Sequence, residues 1–119
     1  MPAFDAKTRP APFQSAEAAW FWTAAALRAA RDPLAARPGP AACQAEDVVR
    51  CLNSLYRRRR IELLHARILR IWGLRGVAPN PGRPRERSDW RLWREALQCL
   101  EAPLRAEGIV ASTPPRAAE

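Results

Sequence analysis

The chain has 119 residues, 48% of them hydrophobic and 27% charged, and a formal net charge of +8. This length allows one domain with one core, and the composition excludes a disordered protein. The most apolar run, residues 18–27, is half the ~20 residues that a membrane-spanning helix needs and lacks the features of a signal peptide, so we expect a cytoplasmic protein that does not bind membranes.

The chain begins with an irregular stretch and then a strongly apolar helix. Residues 1–14 contain three prolines and no periodicity, which predicts a flexible arm. Ser15 is a good N-cap, so we expect the first helix to run from about 16 to 31. Consecutive aromatic residues at 20–22 point in three directions on a helix, which predicts contacts on more than one side.

A second helix should follow a loop rich in proline, residues 33–42. It should start near Gln44, because two acidic residues then fall in its first turn, where the helix dipole favours them. Its end is ambiguous, because arginine is compatible with a helix and residues 57–60 could form its last turn or a connector. The predicted buried stripe consists of Val48, Val49, Leu52, Leu55 and Tyr56.

The third helix should span about 61–72, and Gly73 and Gly76 should end it. Arg67 and Arg70 are predicted to lie on its solvent side. The side predicted to face the core consists of Ile61, Leu64, His65, Ile68, Ile71 and Trp72.

A basic loop over 76–87 should lead to a fourth helix capped by Ser88. Pro103 should kink or restart this helix, and Gly108 should close it. Its amphipathic stripe is Trp90, Trp93, Ala96, Leu97 and Leu100. The sequence therefore predicts an all-α bundle of about four helices over 15–110, with a disordered tail at 111–119.

Positive charge is concentrated in the second half of the chain. Between Arg57 and Arg94 there are twelve arginines and only three acidic residues. Such a patch is expected of a surface that binds nucleic acid, and an acidic protein partner is the alternative. Only Lys7 is a lysine, so codon usage could explain the choice of arginine and the patch could be an ordinary solvated face. The candidate nucleic-acid-binding residues are Arg57, Arg58, Arg59, Arg60, Arg67, Arg70, Arg83 and Arg85.

Two known modes of DNA binding deserve comparison with this stretch. Two helices joined near Arg59 and Arg60 suggest a helix-turn-helix, although the glycine that often marks its turn is missing. Gly82-Arg83-Pro84 is similar to the core of an AT-hook, an extended segment that enters the minor groove. The alternative for that segment is a loop stiffened by proline. Neither mode identifies a target sequence or distinguishes DNA from RNA.

No residue pattern indicates catalysis, a cofactor or a metal. Cys43, Cys51, His65 and Cys99 equal a zinc ligand set in number but lack the close Cys-x2-Cys spacing, so buried thiols and a packed histidine are the expected roles. Cys43 lies near a helix N-terminus, which lowers a thiol pKa. An odd number of cysteines also fits a reducing compartment. We expect a binding protein rather than an enzyme, with an oligomeric state that the sequence does not define.

Four segments carry a resemblance to other proteins: residues 55–61, residues 65–73, residues 92–97 and residues 103–110. In these segments the chain resembles a group of small bacterial helical proteins of unknown function. The resemblance implies a bacterial cytoplasmic protein, and it implies no activity and no site residue.

Overall fold

The computed structural model describes residues 10–112, which form four α-helices. A short 3-10 helix, Pro84–Glu86, leads into the last of them. Apart from one isolated bridge, residues 10–112 contain no strand pairing, so the predicted all-α fold is confirmed. The helices are α1 Ala16–Arg31, α2 Ala45–Arg57, α3 Leu63–Arg75 and α4 Arg87–Ala106.

Helix α1 has the predicted bounds and the predicted cap, since the Ser15 hydroxyl accepts a hydrogen bond from the backbone N–H of Ala18. The first two residues of its aromatic triplet contact two different helices. The Trp20 indole N–H donates to the carbonyl of Leu69 in α3. The Phe21 ring lies 5.3 Å from that of Trp93 in α4. The expectation of contacts on several sides is therefore confirmed.

Helices α1 and α4 form the centre of the bundle. Each packs against the other three helices, whereas α2 and α3 hardly touch each other. Polar bonds also join the central pair: Glu101 accepts from the backbone N–H of Ala16 at 3.2 Å, and Glu17 accepts from the Trp93 indole at 2.9 Å. The Trp93 side chain of α4 therefore contacts α1.

Helix α3 departs most from the prediction. It starts at Leu63 and ends at Arg75, with Glu62 as its N-cap. Gly73 lies inside the helix and does not end it. This glycine serves close packing instead, because a Cβ there would lie 2.6 Å from the Trp20 indole nitrogen. Gly76, with a φ of +75°, provides the left-handed termination.

The buried side of α3 also differs from the predicted one. Leu64 and Ile71, expected in the core, are 49% and 43% exposed. The expectation was wrong because α3 has apolar residues around most of its circumference, so periodicity alone does not identify the side that faces α1 and α4. The residues that face the core are Ile68, Leu69, Trp72 and Gly73.

Helix α4 begins one residue before Ser88, which therefore does not cap it. The predicted stripe is confirmed in its main part, since Trp93, Ala96, Leu97 and Leu100 are buried. Pro103 neither restarts nor ends the helix, which continues to Ala106.

The two ends of the described chain meet beside the bundle. Phe13 and Val110 form an isolated parallel bridge, in which the backbone N–H of Phe13 donates to Ile109 and Ala111 donates to Phe13. The remainder of the predicted arm and tail, residues 1–9 and 113–119, lies outside the described residues.

Candidate functional site

The four consecutive arginines, Arg57–Arg60, which we call the arginine turn, lie where α2 ends. The backbone N–H of Arg60 donates to Leu55, and that of Arg59 donates to Tyr56. This pair of bonds is the Schellman motif, which requires a left-handed residue just after the helix. Arg59 occupies that position with a φ of 60°. The alternative left open by the sequence is thereby decided, since Arg58–Arg60 form a connector.

Arginine is an unusual residue for this backbone conformation. Helix α4 ends with the same two bonds, and there the left-handed position is Gly108, with a φ of +77°. A residue with a Cβ pays ~1–2 kcal/mol for the left-handed conformation. Within residues 10–112, Arg59 is the single non-glycine residue with a positive φ. The chain thus has a charged side chain at a position whose backbone conformation favours glycine.

The solvent side of α3, which we call the α3 outer face, combines arginine with large apolar residues. Arg67 and Arg70 are exposed, as predicted. They lie among four exposed aliphatic side chains whose relative exposures range from 43% to 60%. Single exposed apolar residues are ordinary, whereas several on one side of a helix are typical of surfaces that bind a partner. The α3 outer face consists of Leu63, Leu64, Arg67, Arg70, Ile71 and Leu74.

The arginine turn and the two arginines of the α3 outer face form no ion pair with a carboxylate in the described part of the chain. The arginine–carboxylate pairs found there involve Arg50, Arg83 and Arg105. The carboxylate nearest in sequence, Glu62, accepts a hydrogen bond at the N-terminus of α3 instead. Six positive charges are thus concentrated at one end and along one side of α3.

The other two predicted residues, Arg83 and Arg85, lie beyond the opposite end of α3. The helix is about 20 Å long, so these residues are well separated from the arginine turn. Arg83 pairs with Glu86 at 3.4 Å. Arg85 lies in the 3-10 helix. An AT-hook needs an extended segment, so this folded loop does not support that interpretation.

The helix-turn-helix interpretation is not supported either. The connection between α2 and α3 comprises residues 58–62, which exceeds the three or four residues typical of the motif. In addition, α2 and α3 hardly touch, whereas the motif is a packed pair of helices.

A groove between α1, α2 and α3 contains residues that the sequence analysis did not select. It has a volume of about 550 Å3, and Arg28, Arg31 and Arg70 line it together with apolar side chains. Arg28 and Arg31 belong to the last turn of α1, where the helix dipole makes positive charge ordinary. The pattern of one helix could not reveal that they line the same groove as Arg70, which is remote in sequence.

Both ring nitrogens of His65 have hydrogen-bond partners, and two of the cysteines have raised thiol pKa values. The His65 Nδ1 atom accepts from the backbone N–H of Glu62, and Nε2 lies 2.9 Å from Glu95. Burial raises the pKa of the Cys43 thiol above its ordinary value of 9.0, and Asp47 raises it further. Burial likewise raises the pKa of Cys51. Desolvation and the Asp47 carboxylate therefore act against the lowered pKa expected of a thiol near a helix N-terminus.

Two further properties of residues 10–112 concern metals and membranes. No group of three or more His, Cys, Asp or Glu side chains there is arranged to hold a metal ion. None of the helices in this range is both long enough and apolar enough to cross a membrane.

Comparisons with protein-family models, with curated proteins and with solved structures found no match to this chain.

Proposed function

We propose that this protein is a cytoplasmic, non-catalytic protein that binds nucleic acid through the arginine turn together with Arg67 and Arg70. The observation that carries the proposal is Arg59, a charged residue in a left-handed conformation that favours glycine. An outlier of this kind is a reason to suspect that the side chain has a function. The proposed ligand contact is the phosphate backbone, because arginine pairs well with phosphate oxygens.

Backbone contacts of this kind give affinity without sequence selectivity. Each phosphate neutralised releases counterions, and six arginines would set a slope of log affinity against log salt no steeper than about −5 for duplex DNA. The protein should therefore bind mixed-sequence DNA and RNA at low salt and lose most of this affinity at moderate salt. Arg83 and Arg85 should contribute less, because they lie beyond the other end of α3.

The test is a fluorescence-anisotropy titration with labelled duplex DNA, duplex RNA and single-stranded RNA of mixed sequence, at about 50 and about 200 mM salt. Arg67→Ala should weaken binding and make the salt slope shallower by about 0.9. The matched control is Arg91→Ala, an equal charge change at an exposed residue of α4, which should leave the slope unchanged. Absence of binding to every probe at low salt would refute the proposal.

A second candidate is a protein-interaction module for an acidic partner, as the sequence also suggested. The observation in its favour is the row of exposed leucine and isoleucine residues on the α3 outer face. Contacts with phosphate would not use these apolar side chains. Arginine among apolar residues is typical of protein interfaces. Leu63→Ser discriminates between the candidates: it should not affect duplex binding if phosphate is the ligand, and it should weaken capture of an acidic partner.

A further inference from the structure

The groove between α1, α2 and α3 exists because two of its walls do not pack together. Helices α2 and α3 hardly touch, and α1 crosses beneath both, so Trp20 and Ala24 form a floor between them. Val49 and Leu52 line the α2 wall, and Ala66 and Leu74 line the α3 wall. The result is an open apolar cleft of about 550 Å3, within the range of ~300–1,000 Å3 usual for small-molecule sites.

The α1 side of the groove changes from apolar to basic along its length. Trp20, Ala24, Leu27 and Arg31 recur at i, i+4, i+7 and i+11, so they form one line along the helix. This line is about 16 Å long, and Arg28 stands beside its basic end. The groove therefore has an apolar run that ends in two cations.

The charge of the groove is not compensated by the protein. Arg28, Arg31 and Arg70 all line it, and in the range 10–112 none of them pairs with a carboxylate. The acidic residues of the described chain lie outside its lining. Arg28 and Arg31 stand together at one end of the α1 line, whereas Arg70 follows Leu69, whose carbonyl accepts from Trp20 at the other end. A ligand with an apolar body and an anionic end at Arg28 and Arg31 fits this arrangement.

We propose that the groove binds an aliphatic carboxylate, with its chain along Trp20, Ala24 and Leu27 and its carboxylate at Arg28 and Arg31. An extended chain advances ~3.5 Å per three bonds, so the ~16 Å line on α1 accommodates about a dozen carbons. This inference goes beyond the proposed nucleic-acid function and shares only Arg70 with it, so either one can fail alone.

The probe is dodecanoate, kept below its micelle concentration and titrated into the full chain by isothermal calorimetry. Binding at a single site is expected. Dodecyltrimethylammonium, which has the same chain and a cationic head, should bind much more weakly. Acetate, which has the head group without the chain, should not bind measurably. Equal binding of the cationic and anionic amphiphiles would overturn the proposal, because it would show apolar adsorption alone.

Two matched pairs of variants locate the site. Leu74 lines the groove and Ile71 does not, although both are 43% exposed. Leu74→Ser should lower dodecanoate affinity roughly tenfold, and Ile71→Ser should leave it unchanged. Arg28→Gln should lower it about three- to fivefold, whereas Arg67→Gln, on α3 but outside the groove, should not. Equal effects within either pair would place the ligand elsewhere and refute the site.

Two other occupants are outcomes of the same experiment. A dimer in sedimentation velocity that Leu74→Ser dissociates would show that a second copy of the chain fills the groove. Cosedimentation with anionic phospholipid vesicles without binding of free dodecanoate would show a lipid-surface contact. Either result would overturn the proposal.

Discussion

At the scale of single residues, two helix ends built in the same way use different residues. Helices α2 and α4 both terminate through a Schellman pair of hydrogen bonds. The left-handed position is Gly108 after α4 and Arg59 after α2. The backbone requirement is identical, so the presence of arginine at one of the two positions has no explanation in backbone geometry.

Replacing Arg59 with glycine should stabilise the protein. Arg59→Gly should raise the free energy of unfolding by about 1 kcal/mol, because glycine adopts the left-handed conformation without strain and loses part of this gain to its greater freedom when unfolded. Urea denaturation followed by circular dichroism measures the change. Arg58→Gly, at a neighbouring residue with a φ of −84°, is the control and should not be stabilising. A loss of stability in Arg59→Gly would mean that the arginine side chain itself holds the turn together.

At the scale of helices, the sequence predicted the bounds of α1, α2 and α4 well because each had a cap or a distinct stripe. Within α2, Tyr56 was wrongly expected in the buried stripe, since it is 47% exposed. Ser15 caps α1 as expected, and Trp93 and Leu100 lie in the buried stripe of α4. Helix α3 was placed too early because Ile61 is buried but lies in the connection and not in the helix. The sequence could not show that Gly73 must lack a side chain to make room for Trp20, since this requirement arises only when α1 packs on α3.

The close approach of α1 and α3 should make Gly73 sensitive to one added methyl group. Gly73→Ala places a Cβ within 2.6 Å of the Trp20 indole nitrogen. Overpacking of this kind costs about 1–3 kcal/mol, and the better helix propensity of alanine offsets up to about 1 kcal/mol. We expect a net loss of about 1–2 kcal/mol in the free energy of unfolding.

Thermal and urea denaturation would measure that loss. The control is Gly39→Ala, because a Cβ at Gly39 would meet nothing within 4 Å. It should change the free energy of unfolding by less than about 0.5 kcal/mol. If the two variants were equally stable, α1 and α3 could not be packed as closely as described.

At the scale of the whole molecule, the bundle depends on the central pair α1 and α4, and the candidate sites lie around it. The sequence could identify the arginine turn, because its four residues are adjacent in the chain. It could not identify the groove, because Arg28, Arg31 and Arg70 line one groove only through the packing of α1 with α3. The arginines of the α3 outer face were predicted, but its apolar residues were missed for a related reason: only packing shows which of them remain in solvent.

Trp93 is the residue on which the central pair depends most. Its side chain is 1% exposed, packs against Phe21 and donates a hydrogen bond to Glu17. Trp93→Ala should cost about 3–5 kcal/mol, which is a large share of the stability of so small a domain. Leu34→Ala, at a leucine that is 95% exposed, is the control and should keep the wild-type melting temperature. If Trp93→Ala had the same melting temperature as this control, the described core would be contradicted.

The bridge between Phe13 and Val110 brings the two ends of the helical unit side by side, with the Phe13 nitrogen 2.9 Å from the carbonyl oxygen of Ile109. Four helices are therefore enclosed between two points that are adjacent in space. A unit of this form can be carried within a loop of a larger protein without pushing the host strands or helices apart. By the same geometry, the order of its helices along the chain can be permuted by joining these ends and opening the connection at residues 33–42, which lies between α1 and α2.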